Sequence, residues 1–396
     1  MSDVNDHLAL ALVPGLGPKL TAALLERFGT AAAALRATAA DLVQIPHIGE
    51  KLATALAAAL RAVNIDSELA LLERHGVRPV ALGSSEYPAP LAAVPAPPPL
   101  LYVRGAWVAA DVNAIGIVGA RSCTAYGKRL AEQISRDLVR AGFTVVSGLA
   151  RGIDGAAHRA ALAAGGRTIA VLAGGLSSIY PPEHADLAAE VAGNGCLVTE
   201  TPMAVAPQPG MFPARNRIIS GLSRGIVVIE ANAKSGALIT ATHAAEQGRE
   251  TFAVPGNVDS AASAGCLELL RKGARLVRGA DDIIEDLKGI ATADYPAGSM
   301  DRGLAPAGTQ YKGAQGHPSQ EDAVTGRAVR EDVPRPPAPI LDVTQQRVFD
   351  ALADKRHADE LARELGVAVG ELSRILMQLE LKKVLRRLPG NFYERR

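Results

Sequence analysis

Apolar residues along this chain change their period region by region. Over residues 1–75, Leu20, Leu24 and Phe28 recur every fourth position, as do Leu52, Leu56 and Leu60. That spacing stacks side chains on one helical face and predicts an all-helical module. Over residues 76–290, short β-branched runs alternate with amphipathic stretches, the pattern of βαβ units and of a mostly parallel sheet covered on both faces. The runs predict strands over 114–118, 144–147, 168–172, 197–199, 225–229, 251–254 and 275–277. Leu130, Ile134 and Leu138 mark one face of an intervening helix that Gly142 stops. Upstream of this sheet, Pro88, Pro90, Pro95 and the run Pro97, Pro98, Pro99 exclude helix interior.

Residues 291–340 carry Gly, Pro, Ala and charge with few large apolar side chains, which predicts a flexible, partly polyproline linker. Helical periodicity returns over 341–396. Ala358 to Leu365, a turn at Gly366 and a second amphipathic stretch bearing Leu372, Ile375, Leu376 and Leu379 read as helix, turn, helix. Lys382, Lys383, Arg386 and Arg387 then precede Pro389-Gly390, a winged-helix-like outline that suits DNA or a protein partner, with Glu371 on the second helix opposing phosphate contact.

Composition adds little direction. The 396 residues are 48% hydrophobic and 21% charged with a net charge of +1, so a nucleic-acid surface has to come from local clustering of Lys and Arg. Cys123, Cys196 and Cys266 stand far apart without ligand spacing, which predicts reduced thiols, no metal and no cofactor in a cytoplasmic protein. No run approaches the roughly 18 apolar residues of a membrane span.

Two glycine turns precede helical stretches in the first module, Gly15-Leu-Gly17-Pro-Lys19 and Ile48-Gly49-Glu-Lys51. Such helix–hairpin–helix turns can meet a DNA phosphate through backbone N–H groups, with Lys19 and Lys51 as ligands, or can serve only as a protein-contact module.

Four loops gather where the predicted strands run into helices, the edge at which open α/β sheets bind ligands. The first holds Arg121, Ser122, Tyr126 and Gly127. The second holds Ser147, Gly148, Arg151 and Gly152, with Asp154 placed to cap the next helix and His158 one turn on. The third holds Arg215, Asn216 and Arg217, and the fourth Lys234, Ser235 and Gly236. Arginine forks, glycine backbone and helix N-termini suit phosphates. The loops offer no nucleophile triad or paired carboxylates, which points to binding rather than catalysis.

The segments IVGARSCTAYG, SGLARGIDGAAHRAAL, TIAVLAGG with IYPPEH, FPARNRIISGLS and SGALITATHAAEQGRETFAVPG resemble, in that order, the central block of the DNA-processing protein A (DprA/Smf) family in its three-domain form. The resemblance implies a Rossmann-like domain that holds single-stranded DNA in a basic pocket, forms a homodimer and helps load the RecA recombinase during natural transformation. It carries the pocket to Arg121 and Ser122, to Ser147 through Arg151, to Arg215 through Arg217, and to Ser235-Gly236. Ser177 and Leu267 depart from the family pattern, and their loops are left outside the site. On residue chemistry alone two other readings stay open. One is a nucleotide-cleaving, phosphoribohydrolase-like enzyme with Asp154 and His158 standing in for the missing P-G-G-x-G-T loop, and the other is a nucleotide-sensing scaffold.

Overall fold

The computed structural model describes residues 4–46, 48–288, 343–352, 354, 356–367, 372, 375, 376, 379, 384–388 and 392–395. The chain divides into two compact units, 1–305 and 306–396. The predicted linker, Glu371, Lys382, Lys383 and the Pro389-Gly390 turn lie outside the described residues.

Six helices open the first unit: α1 (Val4–Leu12), α2 (Pro18–Phe28), α3 (Ala31–Leu35), α4 (Ala39–Val43), α5 (Glu50–Ala62) and α6 (Asp66–His75). The first five share an aliphatic core, with Leu24, Leu42, Leu56 and Leu60 buried together. Leu52 belongs to the same heptad-like row but is 37% exposed, because α5 turns that edge outward. Gly17 and Gly49 are the N-caps of α2 and α5.

Next come β1 (Val77–Ala81), α7 (Ala89–Ala92), β2 (Leu100–Gly105), β3 (Ala114–Val118), α8 (Ala125–Arg140), β4 (Thr144–Ser147), α9 (Ile153–Ala163), β5 (Thr168–Val171), α10 (Ala185–Gly193), β6 (Gly195–Thr199), α11 (Met211–Leu222), β7 (Gly225–Val228), α12 (Gly236–Glu246), β8 (Glu250–Ala253), α13 (Ala264–Arg271), β9 (Arg275–Leu276) and α14 (Ala280–Lys288). The strands form one nine-stranded sheet in the order β1-β2-β6-β5-β4-β3-β7-β8-β9. From β6 to β9 all pairings are parallel, while β2 runs antiparallel to both β6 and β1. The sheet is therefore doubly wound, and its strand order reverses between β3 and β7.

Alternation along β3 sends Ile115 and Ile117 toward α8, α9 and α14, and Ala114 and Val118 toward α11 and α12. All seven predicted strands are present. The two at the β6 edge were hidden by proline. β1 carries Pro79 at the outer edge of the sheet, where a missing N–H costs no ladder bond. The proline-rich stretch also holds a short helix after all: Pro90 lies in the first turn of α7, where a missing donor is harmless.

Leu8 of α1 and Leu72 of α6 share a core with Leu100 and Tyr102 of β2 and Leu197 of β6, so the helical module is packed on the sheet. In the second unit, α15 (Val343–Asp350) and α16 (Ala358–Leu365) accompany a three-stranded sheet in the order β10-β12-β11, made of β10 (Arg356–His357), β11 (Leu385–Leu388) and β12 (Phe392–Arg395). Leu372, Ile375, Leu376 and Leu379 are buried in that unit's core as their spacing predicts, and Arg386 is ion-paired with Glu394.

Candidate nucleic-acid interface

An open cleft of about 690 Å³ lies at the carboxyl ends of β3, β4 and β7, at the reversal of strand order. Its lining comes from the β3–α8 loop (Gly119 to Ser122), the β4–α9 turn (Ala150), the first turn of α9 (Asp154), the first turns of α11 (Phe212, Arg215, Asn216) and the start of α12 (Lys234 to Ala237). Doubly wound sheets open a crevice at this point because the loops after neighbouring strands depart to opposite faces.

The expected residues divide sharply once placed. Arg121, Ser122, Arg215, Asn216, Lys234, Ser235 and Gly236 line the cleft. Arg121 and Lys234 are exposed, and among the described residues neither is in an ion pair. The Arg121 guanidinium lies 4.8 Å from the centroid of the Phe212 ring, so its fork is held over an aromatic face while its donors remain available. At α12, Ser235 Oγ accepts the N–H of Ala237 and the helix start opens into the cleft. Asn216 Nδ2 donates to the Gly236 carbonyl at 3.2 Å, which ties α11 to α12 across the opening.

Arg215 has a different role from the phosphate fork its sequence context suggests. Only 6% exposed, it donates to the carbonyls of Gly148 (2.8 Å) and Val171 and to Asn216 Oδ1. Burial pushes its pKa down to about 10, opposed by the nearby Asp154 carboxylate. Gly148 is required beneath it, since a Cβ there would lie 2.5 Å from the guanidinium. Arg215 is thus a clamp that closes the cleft floor.

Several other expected ligands are already committed. Arg217 turns away from the cleft: it donates to the Ala96 carbonyl at 2.7 Å and is ion-paired with Glu200, whose own pKa burial raises against the pull of that arginine. Arg151 is ion-paired with Glu183 outside the lining. Tyr126 donates its hydroxyl to the Pro255 carbonyl at 3.1 Å. The N-terminus of α8 is filled from within, because Glu230 accepts both the Thr124 N–H and the Thr124 hydroxyl at 2.8 Å. Gly127 is glycine because a Cβ would meet Glu230 Oε2 at 2.5 Å. Ser147 is fully buried and donates to the Ile117 carbonyl.

Gly152 sits at φ +73°, with the Ala120 carbonyl oxygen 2.2 Å from where a Cβ would be. It is the N-cap of α9, so Asp154 falls inside the first turn rather than at the cap. The Asp154 carboxylate instead accepts the N–H groups of Gly148 (3.1 Å) and Ala150 (3.4 Å) in the preceding loop. Burial raises its pKa, while Arg215 and those N–H groups oppose the shift. The start of α8, expected to take phosphate, therefore meets the chain's own Glu230 carboxylate, and the Asp154 carboxylate closes the loop that leads into α9.

His158 has no exposed surface, and its Nδ1 lies 2.7 Å from Thr168 Oγ1. Burial, reinforced by His184, Arg215 and Arg159, pushes its pKa down to about 3, which keeps the ring neutral. Asp154 and His158 share a helical face, but His158 is sealed from the cleft.

Two aromatic residues complete the wall and were absent from the sequence-derived site. Phe212 and Tyr180 pack with ring centroids 5.8 Å apart, and Tyr180 is 42% exposed. Aromatic residues make up only 4% of the chain, so a Tyr and a Phe at the sheet's carboxyl edge, each followed directly by proline, were the available signal. Among the described residues, no cluster of His, Cys, Asp and Glu could hold a metal, and no helix is long and apolar enough to cross a membrane.

Comparison with known proteins bears on the family and the fold. Residues 78–288 match the family model for DNA recombination-mediator protein A, 332–391 a DprA winged helix domain, and 8–62 a SAM-like helix–hairpin–helix tandem. Protein Smf of Synechocystis is 34% identical over 394 residues, covering 98% of both chains. The DNA processing protein DprA of Bacillus subtilis is 44% identical over 220 residues, 55% of this chain and 74% of that protein. The crystal structure of DNA processing protein A from Streptococcus pneumoniae superposes with a TM-score of 0.64 at 30% identity, covering 72% of this chain and 99% of that one. Through the family model over its sheet and the full-length relative, this chain belongs to the DNA recombination-mediator protein A family.

Proposed function

We propose that the cleft binds single-stranded DNA, with Arg121, Ser122, Lys234 and the open start of α12 on the phosphates and Phe212 and Tyr180 offering ring faces to the bases. The observation that carries this reading is the pairing of two uncommitted cations with an aromatic wall in one open cleft. A single strand presents its base faces, whereas a duplex stacks them against one another, so an aromatic wall favours the single strand. The closing of Asp154 and His158 into structural contacts favours binding over cleavage.

Membership of the family, and relatives named for DNA processing in Bacillus subtilis and Streptococcus pneumoniae, support a cellular setting in natural transformation. In that setting the protein, as a cytoplasmic homodimer, protects incoming strands and helps load the RecA recombinase on them. The test is a gel-shift titration of the full chain with a dT oligomer and with a duplex of equal length across a salt series. Preference for the single strand with a steep fall in affinity as salt rises is expected. Equal affinity for the two, or binding indifferent to salt, overturns the reading.

A further inference from the structure

Glu68 of α6 is only 6% exposed, and its Oε1 accepts the backbone N–H of Met203 at 2.7 Å from the far side of the module boundary. A carboxylate is costly to bury without directed donors, so its presence fixes a geometry that an apolar contact would leave free to slide. Met203 lies in the segment joining β6 to α11, and its side chain is buried in the core that Leu8 and Leu72 share with the sheet.

That segment is stitched along its length to the loop after β5. Thr201 Oγ1 donates to the Ala173 carbonyl and the Gly175 N–H to the Val205 carbonyl, both at 2.8 Å, while the Ser177 N–H donates to the Met203 carbonyl at 3.2 Å. Gly175 leaves no room for a side chain, since a Cβ would lie 2.1 Å from the Pro202 carbonyl oxygen. The two loops are one packed body. The far end of the first delivers Phe212 to the cleft, and the far end of the second delivers Tyr180.

We infer that Glu68 is a positioning residue through which the helical module sets the aromatic wall of the cleft. The module then contributes to the site without touching what the site binds. In its DNA-binding consequence this inference rests on the proposed single-strand reading; its structural consequence does not.

The test compares Glu68→Ala with Glu68→Gln in the full chain, since the glutamine amide keeps an Oε1 acceptor for the Met203 N–H. Hydrogen exchange over residues 201–212 and dT-oligomer affinity across salt are the two readouts. Glu68→Ala is expected to speed exchange in that segment and to weaken binding about five- to tenfold with the salt slope unchanged, because Arg121 and Lys234 still meet the phosphates. Glu68→Gln is expected to stay within about twofold of the native chain. A folded Glu68→Ala chain with native exchange over 201–212 overturns the inference, as does a Glu68→Gln chain as impaired as Glu68→Ala. Should Glu68→Ala fail to fold, the native chain decides: the Met203 amide must be protected to the level of the α6 amides, and exchange as fast as that of exposed Ala204 refutes the contact. Failure of the native chain to bind the oligomer would remove the single-strand reading while the exchange comparison still judged Glu68.

Discussion

Gly49 stands immediately before α5 with nothing within 4 Å of where a Cβ would sit, whereas Gly152, immediately before α9, has a carbonyl oxygen 2.2 Å from that point. The same local phrase, glycine and then a helix start, occurs in the helical module and at the carboxyl edge of the sheet. In the module the turn is open and its glycine has an ordinary negative φ of −80°. At the sheet edge it is shut by backbone and by the chain's own side chains, with Glu230 on the start of α8 and Asp154 on the loop before α9. A glycine before a helix thus marks either a place where something can approach or a place where the protein has already approached itself. Sequence alone does not distinguish them.

The largest effect that would test this contrast is on stability. Gly152→Ala forces a side chain into a positive φ and against the Ala120 carbonyl, and is expected to cost about 3–5 kcal/mol in chemical denaturation. A loss below about 1 kcal/mol would mean that the edge is not closed as described.

Arg121→Ala probes the part of the edge that stays open. Removing this exposed cation and its contact with Phe212 is expected to weaken dT-oligomer binding by roughly 10- to 100-fold and to lower the salt slope by about one, with the melting temperature unchanged. If Arg217→Ala, which breaks the ion pair with Glu200, weakened binding as much with stability intact, the division between open and committed arginines would fail.

A smaller effect reports on the closed layer beneath. The native state holds His158 near pKa 3, while the unfolded chain takes up the proton at its ordinary 6.5. The unfolded state therefore binds more protons between those values, so the contribution is fully present above about pH 6.5 and is lost as pH falls. From pH 7 to pH 5 the native chain should lose about 1–2 kcal/mol more than His158→Leu, as read from denaturant midpoints at each pH. Parallel profiles for the two chains would show that His158 is not sealed from solvent.

The smallest effect belongs to the module. Gly49→Ala meets open space and is expected to change stability by no more than about 0.5 kcal/mol. A loss comparable to that of Gly152→Ala would erase the contrast between the two regions.

Much of the architecture was legible because periodicity reports burial directly. The run 114–118 is the buried central strand β3, and Leu130, Ile134 and Leu138 mark the helix that covers it. β1 and β2 were missed because Pro79 lies within β1 and Pro97 to Pro99 run directly into β2, and a proline is tolerated in an edge strand for reasons that only the neighbouring strand reveals. Within the site, Arg121 and Lys234 were found by their chemistry and proved open. Arg215, Arg217 and Arg151 have the same chemistry and face carbonyls or carboxylates instead.

By itself, then, the sequence determined the doubly wound sheet, the glycine-bearing loops at its carboxyl edge and the supply of cations there, since all three follow from residue type and spacing along a short stretch of chain. Tertiary structure alone decided which of those cations remain free. Glu200 and Glu183 reach Arg217 and Arg151 across 17 and 32 residues, and a carboxylate brought in by the fold cancels a charge that local spacing counts as available.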